Sequence, residues 1–456
     1  MPADYAATSC NTNHYTGRVI RGGCNPVEQA AENSQSQTSL PPGARCVLVN
    51  RYYFPDLSAT SQLLTDLAIA TAQAGFEAVV VTSRMEYADG HARLSAQEFV
   101  DGVRVLRIWT THFGRKNLLG RALDYLSFYL SAFVALLRIV RPRDIVVAKT
   151  DPPLISIIAG VVCRIRGAHL VNWLQDVFPE VAVRLGLLSD GVLFRITRAL
   201  RNRSLRLARL NVAIGGRMAK MLCEEGIPVD SIAVISNWAD GKLVSPVEHA
   251  ENPLRAAWGL EQCFVVGYSG NLGRAHDTAT MLAAAQRLAG DPNIVFLLIG
   301  GGAGSDRLRA QAQELGLTNF QFQPYQARAQ LSQSLGVPDV HLVSLLPDLE
   351  GLIVPSKVYG ICAAGRPCVF IGAPDGDVAE MLAQDGFGAT VQPGDDAGLA
   401  RAIRELCEDG ERRRVQSAAA REVFEARYSR EHALSSWCAA LSRIARECRK
   451  PVGSGK

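Results

Sequence analysis

The sequence has no CxxC pair and no Cys/His group at zinc-site spacing, although it carries 11 cysteines. Structural zinc modules are therefore excluded. Several cysteines, among them Cys263, Cys362 and Cys368, sit in apolar runs, where reduced and packed thiols belong. Before the C-terminal tail there is no long basic run. Charged residues make up 20% and the net charge is +4. A nucleic-acid binder concentrates basic residues on one face, so nucleic acid is not an expected partner. The mild positive charge is compatible with anionic membrane surfaces or phosphorylated ligands. No basic start followed by an apolar block opens the chain, so no signal peptide is expected. No uncharged apolar run reaches the roughly 20 residues of a membrane span.

What is present is a large apolar content, 48% over 456 residues, too much for one ordinary core. Residues 1–44 are rich in Ser, Asn, Gln, Gly and Pro and lack periodic apolar positions. They read as a disordered extension. From Arg45 onward short apolar runs alternate with segments of helical period, such as 61–74 and 192–208. The strand candidates are 46–50, 78–82, 103–108, 145–149, 170–173, 211–214 and 232–236. A second series follows at 264–269, 294–299, 320–323, 340–344, 368–371 and 389–391. Such alternation predicts an α/β protein of two Rossmann-like doubly wound domains with helices on both sheet faces. The expected division is 45–240, a polar linker over 241–255, 256–426, and a final helix and tail over 427–456.

Residues 118–140 (LLGRALDYLSFYLSAFVALLRIV) are apolar nearly all round. Their uncharged stretch, 125–137, is short for a span. A buried packing helix fits, and so does a helix lying in a membrane interface flanked by Arg115, Lys116, Arg121, Arg138, Arg141 and Arg143; a spanning helix is the third reading.

Three segments of the second half read as anion or nucleotide seats. In 266–276 (VGYSGNLGRAH) a strand ends near Ser269. Gly270, Asn271 and Gly273 then allow a tight turn, and a helix is expected near Asp277. Backbone N–H groups at such a turn suit a phosphate, and Arg274 adds a bidentate cation. In 297–304 (LLIGGGAG), Gly301 and Gly302 let a backbone approach a planar ligand. In 349–367 (LEGLIVPSKVYGICAAGRP), Pro355 and Ser356 suit a helix start and Gly365 a helix end, with Lys357 in the first turn. Lys357 is either an anion ligand or a solvated surface charge. Glu350, in a loop, either accepts hydroxyl hydrogen bonds from a sugar or ribose or is a plain loop acid. In the first half, Asp176 follows a strand and precedes Phe178-Pro179 at the expected cleft edge. It either orients or deprotonates an acceptor hydroxyl or closes a turn.

These segments together resemble the GT-B-fold glycosyltransferases of family 4, and within it the bacterial polysaccharide branch with a PSK motif, the fucosyl- and N-acetylfucosaminyltransferase-like enzymes. The similarity runs from about Arg45 to Ile444. Residues 53–56 (YFPD) leading into 58–67, 173–180 (WLQDVFPE), 214–218 (IGGRM) and 234–240 (VISNWAD) carry it in the first half. The resemblance implies a C-terminal helix crossing back to the first domain. It implies retaining transfer of a hexosyl or deoxyhexosyl group from a nucleotide-diphospho-sugar, with no metal and no cofactor. The implied acceptor is a glycan on a polyprenyl diphosphate, in surface or exopolysaccharide assembly on the inner face of the cell membrane. Arg274 and Lys357 would neutralise the diphosphate, aided by Gly270, Asn271, Gly273, Gly301, Gly302 and Ser356. Glu350 would contact the donor, while Ser58 and Thr60 would lie on the acceptor side. Two positions depart from the family pattern. Gly360 stands where many members have a second glutamate, and no lysine follows Arg274 at close range. A sugar-nucleotide 2-epimerase of the same fold and a non-catalytic subunit of a polysaccharide complex are the alternatives.

Overall fold

The computed structural model describes residues 40–86, 94–113 and 118–448. The expected extension as far as residue 39, the flanking Arg115 and Lys116, and the tail from 449 lie outside the described residues.

The first lobe runs β1 (Arg45–Val49), α1 (Ala59–Gln73), β2 (Glu77–Ser83), β3 (Gln97–Val100), β4 (Val103–Ile108), α2 (Leu118–Ile139), β5 (Ile145–Lys149) and α3 (Ile155–Arg166). It continues with β6 (His169–Trp173), α4 (Glu180–Arg184), α5 (Val192–Leu207), β7 (Leu210–Ala213), α6 (Gly216–Glu224) and β8 (Ile232–Val234). The sheet order is β3-β4-β2-β1-β5-β6-β7-β8. The central strands bury both faces, which is why they read as continuous apolar runs. On β1, Val47 and Val49 face α2 and α3, while Cys46 and Leu48 belong to the opposite cluster. Strand β3 was not anticipated. It pairs antiparallel with β4 across Asp101-Gly102, both at positive φ (47° and 83°). That Asp-Gly turn between alternating residues is the sequence signal that marks it.

The second lobe comprises α7 (Pro253–Ala257), β9 (Phe264–Asn271), α8 (Ala279–Arg287), β10 (Ile294–Gly301), α9 (Ala303–Glu314), β11 (Phe320–Gln323) and α10 (Leu331–Gly336). Then come β12 (Val340–Ser344), α11 (Lys357–Ala363), β13 (Cys368–Ile371), α12 (Asp377–Asp385), β14 (Gly388–Val391), α13 (Asp396–Glu408) and α14 (Gly410–Val423). Its six strands, in the order β11-β10-β9-β12-β13-β14, are all parallel.

After α14 a π-helical turn, Phe424–Tyr428, redirects the chain, and α15 (Arg430–Glu447) returns to the first lobe. Ser429 caps α15 by accepting a hydrogen bond from the His432 N–H at 3.3 Å. Trp437 is fully buried with its ring 4.8 Å from that of Trp173, which stacks on Trp238 at 5.8 Å. Among the described residues the cysteines are free thiols; Cys362 and Cys368 are buried and Cys263 is half-buried.

Helix α2 resolves the ambiguity of its sequence. Phe128, Ala132 and Leu136, spaced four apart, are buried against the sheet, and Asp124 on the same stripe pairs with Arg51 at 3.4 Å. The opposite stripe is exposed. Its length of 22 residues matches a bilayer core, but one face is part of the lobe.

Candidate active site

In an open parallel sheet, ligands bind beyond the carboxyl ends of the strands where the strand order reverses. In the second sheet that point lies between β9 and β12. Strand β9 runs two residues further than expected, to Asn271, and α8 starts at Ala279 rather than near Asp277. The reason is pairing: Gly270 and Asn271 sit in register with Gly300 and Gly301 of β10. The glycines permit this approach. Gly300 has φ 128°, and a Cβ there would lie 2.4 Å from the Gly270 carbonyl oxygen. Gly302, at φ 110°, would clash in the same way with Asn271 Oδ1. The Leu272 N–H donates to Gly301 O at 2.9 Å and the Gly304 N–H to Leu272 O at 2.9 Å, closing the two loops onto each other.

Lys357 opens α11 and reaches over Gly270, where a Cβ would be 3.1 Å from its Cε. Its ammonium is 3.5 Å from His276 Nε2 and 5.2 Å from the centre of the Tyr268 ring. His276 Nδ1 lies 2.6 Å from the Ser344 carbonyl oxygen. Burial, reinforced by Lys357, holds the imidazole down at about 4, so the ring is neutral at pH 7. Its Nδ1–H then donates to Ser344, which leaves the Nε2 lone pair to accept from Lys357. Burial lowers the Lys357 ammonium to about 8. A half-buried cation aimed by a neutral acceptor suits an anion that brings its own charge. His276 was not among the expected site residues. A histidine two positions after Arg274, where the family pattern has a lysine close by, was the signal available.

Lys357 edges a cavity of about 200 Å³ walled by Ser269, Ile299, Tyr325 and Leu335, with Gly360 and Ile361 on the α11 side. That volume is below the usual range for a whole ligand, so a larger ligand would extend from it into the cleft. Gly360 leaves this wall without a carboxylate. Gly301 backs it, its Cβ position 3.4 Å from the Tyr325 ring. Ser356 is exposed and makes no capping bond, because its backbone is already helical (φ −63°, ψ −12°) and cannot aim the hydroxyl at the first-turn N–H groups. Arg274 and Asn271 are exposed at the rim, and Gly273 is half-buried.

Glu350 does not line that cavity. Its carboxylate sits against Gly376 at the start of α12 and accepts from the Asp377 N–H. Burial, then the nearby Asp377, push it up to about 7. The surrounding contacts join the two lobes. Val177 N–H donates to Leu352 O at 2.9 Å, Arg217 N–H to Asp377 Oδ1 at 3.0 Å, and the Arg217 guanidinium pairs with Asp375 at 3.0 Å.

Across the cleft, the first sheet reverses between β1 and β5. Lys149, the last residue of β5, is fully buried. It donates to Thr60 O at 2.8 Å and lies 3.9 Å from the centre of the Trp173 ring. Burial pulls its pKa well below the lysine range. Thr60 Oγ1 donates to Asp151 Oδ2 at 3.3 Å, and Ser58 N–H to Asp56 Oδ1 at 2.8 Å. Thr60 thus ties the start of α1 to the end of β5, while Ser58 bonds locally to Asp56. Asp176 follows β6. Burial, then the charge of Asp151, push it up to about 6, against the opposing influence of Lys149. The residue as a whole is exposed at the cleft. The cleft walls crowd it nonetheless. Lys149 and Asp151 were not expected; a lysine ending an apolar strand (IVVAK) and followed by TDPP marked them. Asp176 also lines a cleft of about 440 Å³, together with Tyr125, Tyr129, Thr150, Phe178 and Leu193.

Two doubly wound lobes facing a cleft, with a C-terminal helix returning to the first, define the GT-B architecture of glycosyltransferases. The solved structure of sucrose-phosphate synthase from Thermosynechococcus elongatus shares the fold, with TM-score 0.67 and 17% identity over 89% of this chain and 98% of that one. HepE from Anabaena, solved in complex with UDP and glucose, does so with TM-score 0.65 and 18% identity over 88% and 99%. Residues 60–238 match the glycosyl transferase 4-like domain and residues 252–423 match the glycosyl transferases group 1 model. A probable glycosyltransferase, WbjE of Pseudomonas aeruginosa, is 30% identical over 295 residues, 64% of this chain and 74% of the relative. The putative colanic acid biosynthesis glycosyl transferase WcaI of Escherichia coli K12 is 24% identical over 365 residues, 77% and 89% of the two chains. The chain belongs to the group 1 glycosyltransferases.

Proposed function

We propose that this glycosyltransferase moves a hexosyl or deoxyhexosyl group, with retention, from a nucleotide-diphospho-sugar to a glycan carried on a polyprenyl diphosphate in bacterial surface-polysaccharide assembly. The observation that carries the reading is the Lys357–His276 pair beside the 200 Å³ cavity at the reversal point of the second sheet. The nucleoside enters the cavity, and the diphosphate lies on Lys357 with Arg274 at the rim. As the bond from the anomeric carbon to the phosphate oxygen breaks, negative charge grows on the diphosphate, and these cations favour that state over the ground state. Asp176, ionised at neutral pH, accepts the hydrogen bond of the acceptor hydroxyl that forms the new bond. In this reading the positive charge comes from the two side chains, without a metal. The relation of WcaI to colanic acid by name supports the polysaccharide assignment, and the UDP complex of HepE supports the donor class.

A panel of UDP-, GDP- and dTDP-sugars offered with bacterial membrane extract tests the proposal. Nucleotide diphosphate release together with a product of one added sugar mass is expected. Conversion of the donor to its epimer without acceptor, or no release with any donor, overturns it.

A further inference from the structure

The first lobe carries a surface that the transfer chemistry leaves unused. Large apolar side chains stand in solvent on three neighbouring helices: Leu126, Leu130 and Val134 on α2, Ile165 on α3, and Ile196 and Leu200 on α5. Leu130 is 61% exposed and Ile165 60%. The helices are joined side by side. Arg166 Nε donates to Val140 O at 2.8 Å, tying α3 to the end of α2, and Ser204 Oγ donates to Ser156 Oγ at 2.9 Å, tying α5 to α3. Large apolar side chains exposed together on neighbouring helices mark an interaction site.

The charges on the same helices are of one sign. Residues 118–139, 155–166 and 192–207 contain nine arginines and a single acid. That acid, Asp124, is buried and faces Arg51. Arg138, Arg164, Arg166, Arg195, Arg203 and Arg206 are exposed. An ordinary soluble surface mixes the two signs. A second copy of the chain could cover the apolar stripe, but a two-fold contact would bring arginines against arginines. A spanning helix is excluded, because the other face of α2 holds Phe128 and Leu136 in the core.

We infer that the α2–α3–α5 face is a docking surface for an anionic lipid bilayer, its leucines and isoleucines entering the headgroup boundary and its arginines meeting lipid phosphates. The 440 Å³ cleft agrees in position. It is lined by Ala122, Tyr125 and Tyr129 of α2, by Leu193 and Thr197 of α5, and by Asp176. A lipid-anchored acceptor then reaches the transfer edge while its chain stays in the membrane. This last step rests on the acceptor class proposed above; the docking itself does not.

The test is flotation of the full chain with vesicles of phosphatidylcholine alone or mixed with phosphatidylglycerol, at low and high salt. Neither vesicle holds an acceptor, so the readout is independent of turnover. The chain is expected to float with the anionic vesicles and to be partly released by salt. Leu130→Glu and Ile196→Glu, each at an exposed position, are expected to weaken flotation roughly tenfold or more with the melting temperature unchanged. The inference is overturned if the parent stays unbound with anionic vesicles. It is equally overturned if both variants float like the parent, or if sedimentation shows a dimer that the same substitutions dissociate. A failed donor panel with intact flotation would remove the proposed reaction and leave the surface standing.

Discussion

At the scale of single residues, the site turns on groups whose charge burial has tuned. Lys357 holds its proton below about pH 8, lower than an ordinary lysine, because its ammonium is desolvated. Donor affinity should therefore fall as pH rises through 8, and diphosphate binding above that pH should take up protons, which calorimetry in buffers of different ionisation enthalpy measures. Lys357→Ala should raise the KM for the donor about tenfold to a hundredfold, the worth of one charge-assisted hydrogen bond. An unchanged donor affinity would remove Lys357 from the site. Asp176 titrates from the other side. Its pKa, raised to about 6, means that the carboxylate loses its charge as pH falls through 6, so kcat should drop on that limb. Asp176→Asn should lower kcat by roughly 10²–10⁴ with donor KM preserved, and should abolish the acidic limb. A normal turnover rate in that variant would confine Asp176 to a structural role. Glu350 teaches a different lesson. Its identity and its loop were legible in the sequence, but its position against α12, away from the Lys357 cavity, was not, because it depends on a lobe contact made by Asp377 and Arg217.

At the scale of elements, the glycines after β9 and β10 work first as packing devices. Their number in YSGNLGR and LLIGGGAG reads as a nucleotide seat. The structure shows what precedes that use: two strand ends that approach closely only without side chains. Gly300→Ala should lower stability by about 1–3 kcal/mol, since a Cβ there combines a φ of 128° with contact to the Gly270 carbonyl. Gly290→Ala, where a Cβ meets nothing within 4 Å, is the control expected to leave the urea midpoint in place. Equal midpoints for the two variants would refute the packing role. The elements themselves were largely readable, because buried parallel strands must be apolar on both faces and so stand out as runs. Strand β3 escaped, because it lies at the sheet edge with Phe99 exposed and has no such run.

At the scale of the whole molecule, α15 belongs to the first lobe by packing although it follows the second in the chain. One apolar cluster extends from Leu48 and Trp173 through Trp437 and Phe424 to Val358 and Phe370. Trp437→Ala should cost about 3–5 kcal/mol, the price of emptying a fully buried aromatic site. It should destabilise the first lobe, which a calorimetric scan and amide exchange in β1, β5 and β6 would show. Exchange confined to α15 itself would mean that the helix is an appendage and not part of that core.

The sequence by itself determined the two doubly wound sheets and the three glycine- and lysine-bearing segments, because each follows from local period, turn chemistry and motif; the return of the last helix was implied only by the family resemblance. Tertiary structure decided which of those residues meet. It set His276 beside Lys357, brought Lys149, Thr60 and Asp151 together next to Asp176, and moved Glu350 to the seam between the lobes. It also turned one ambiguous apolar helix into half of a core and half of a surface. These outcomes depend on contacts between segments tens to hundreds of residues apart, and no local pattern encodes which face of a helix its distant neighbours will cover.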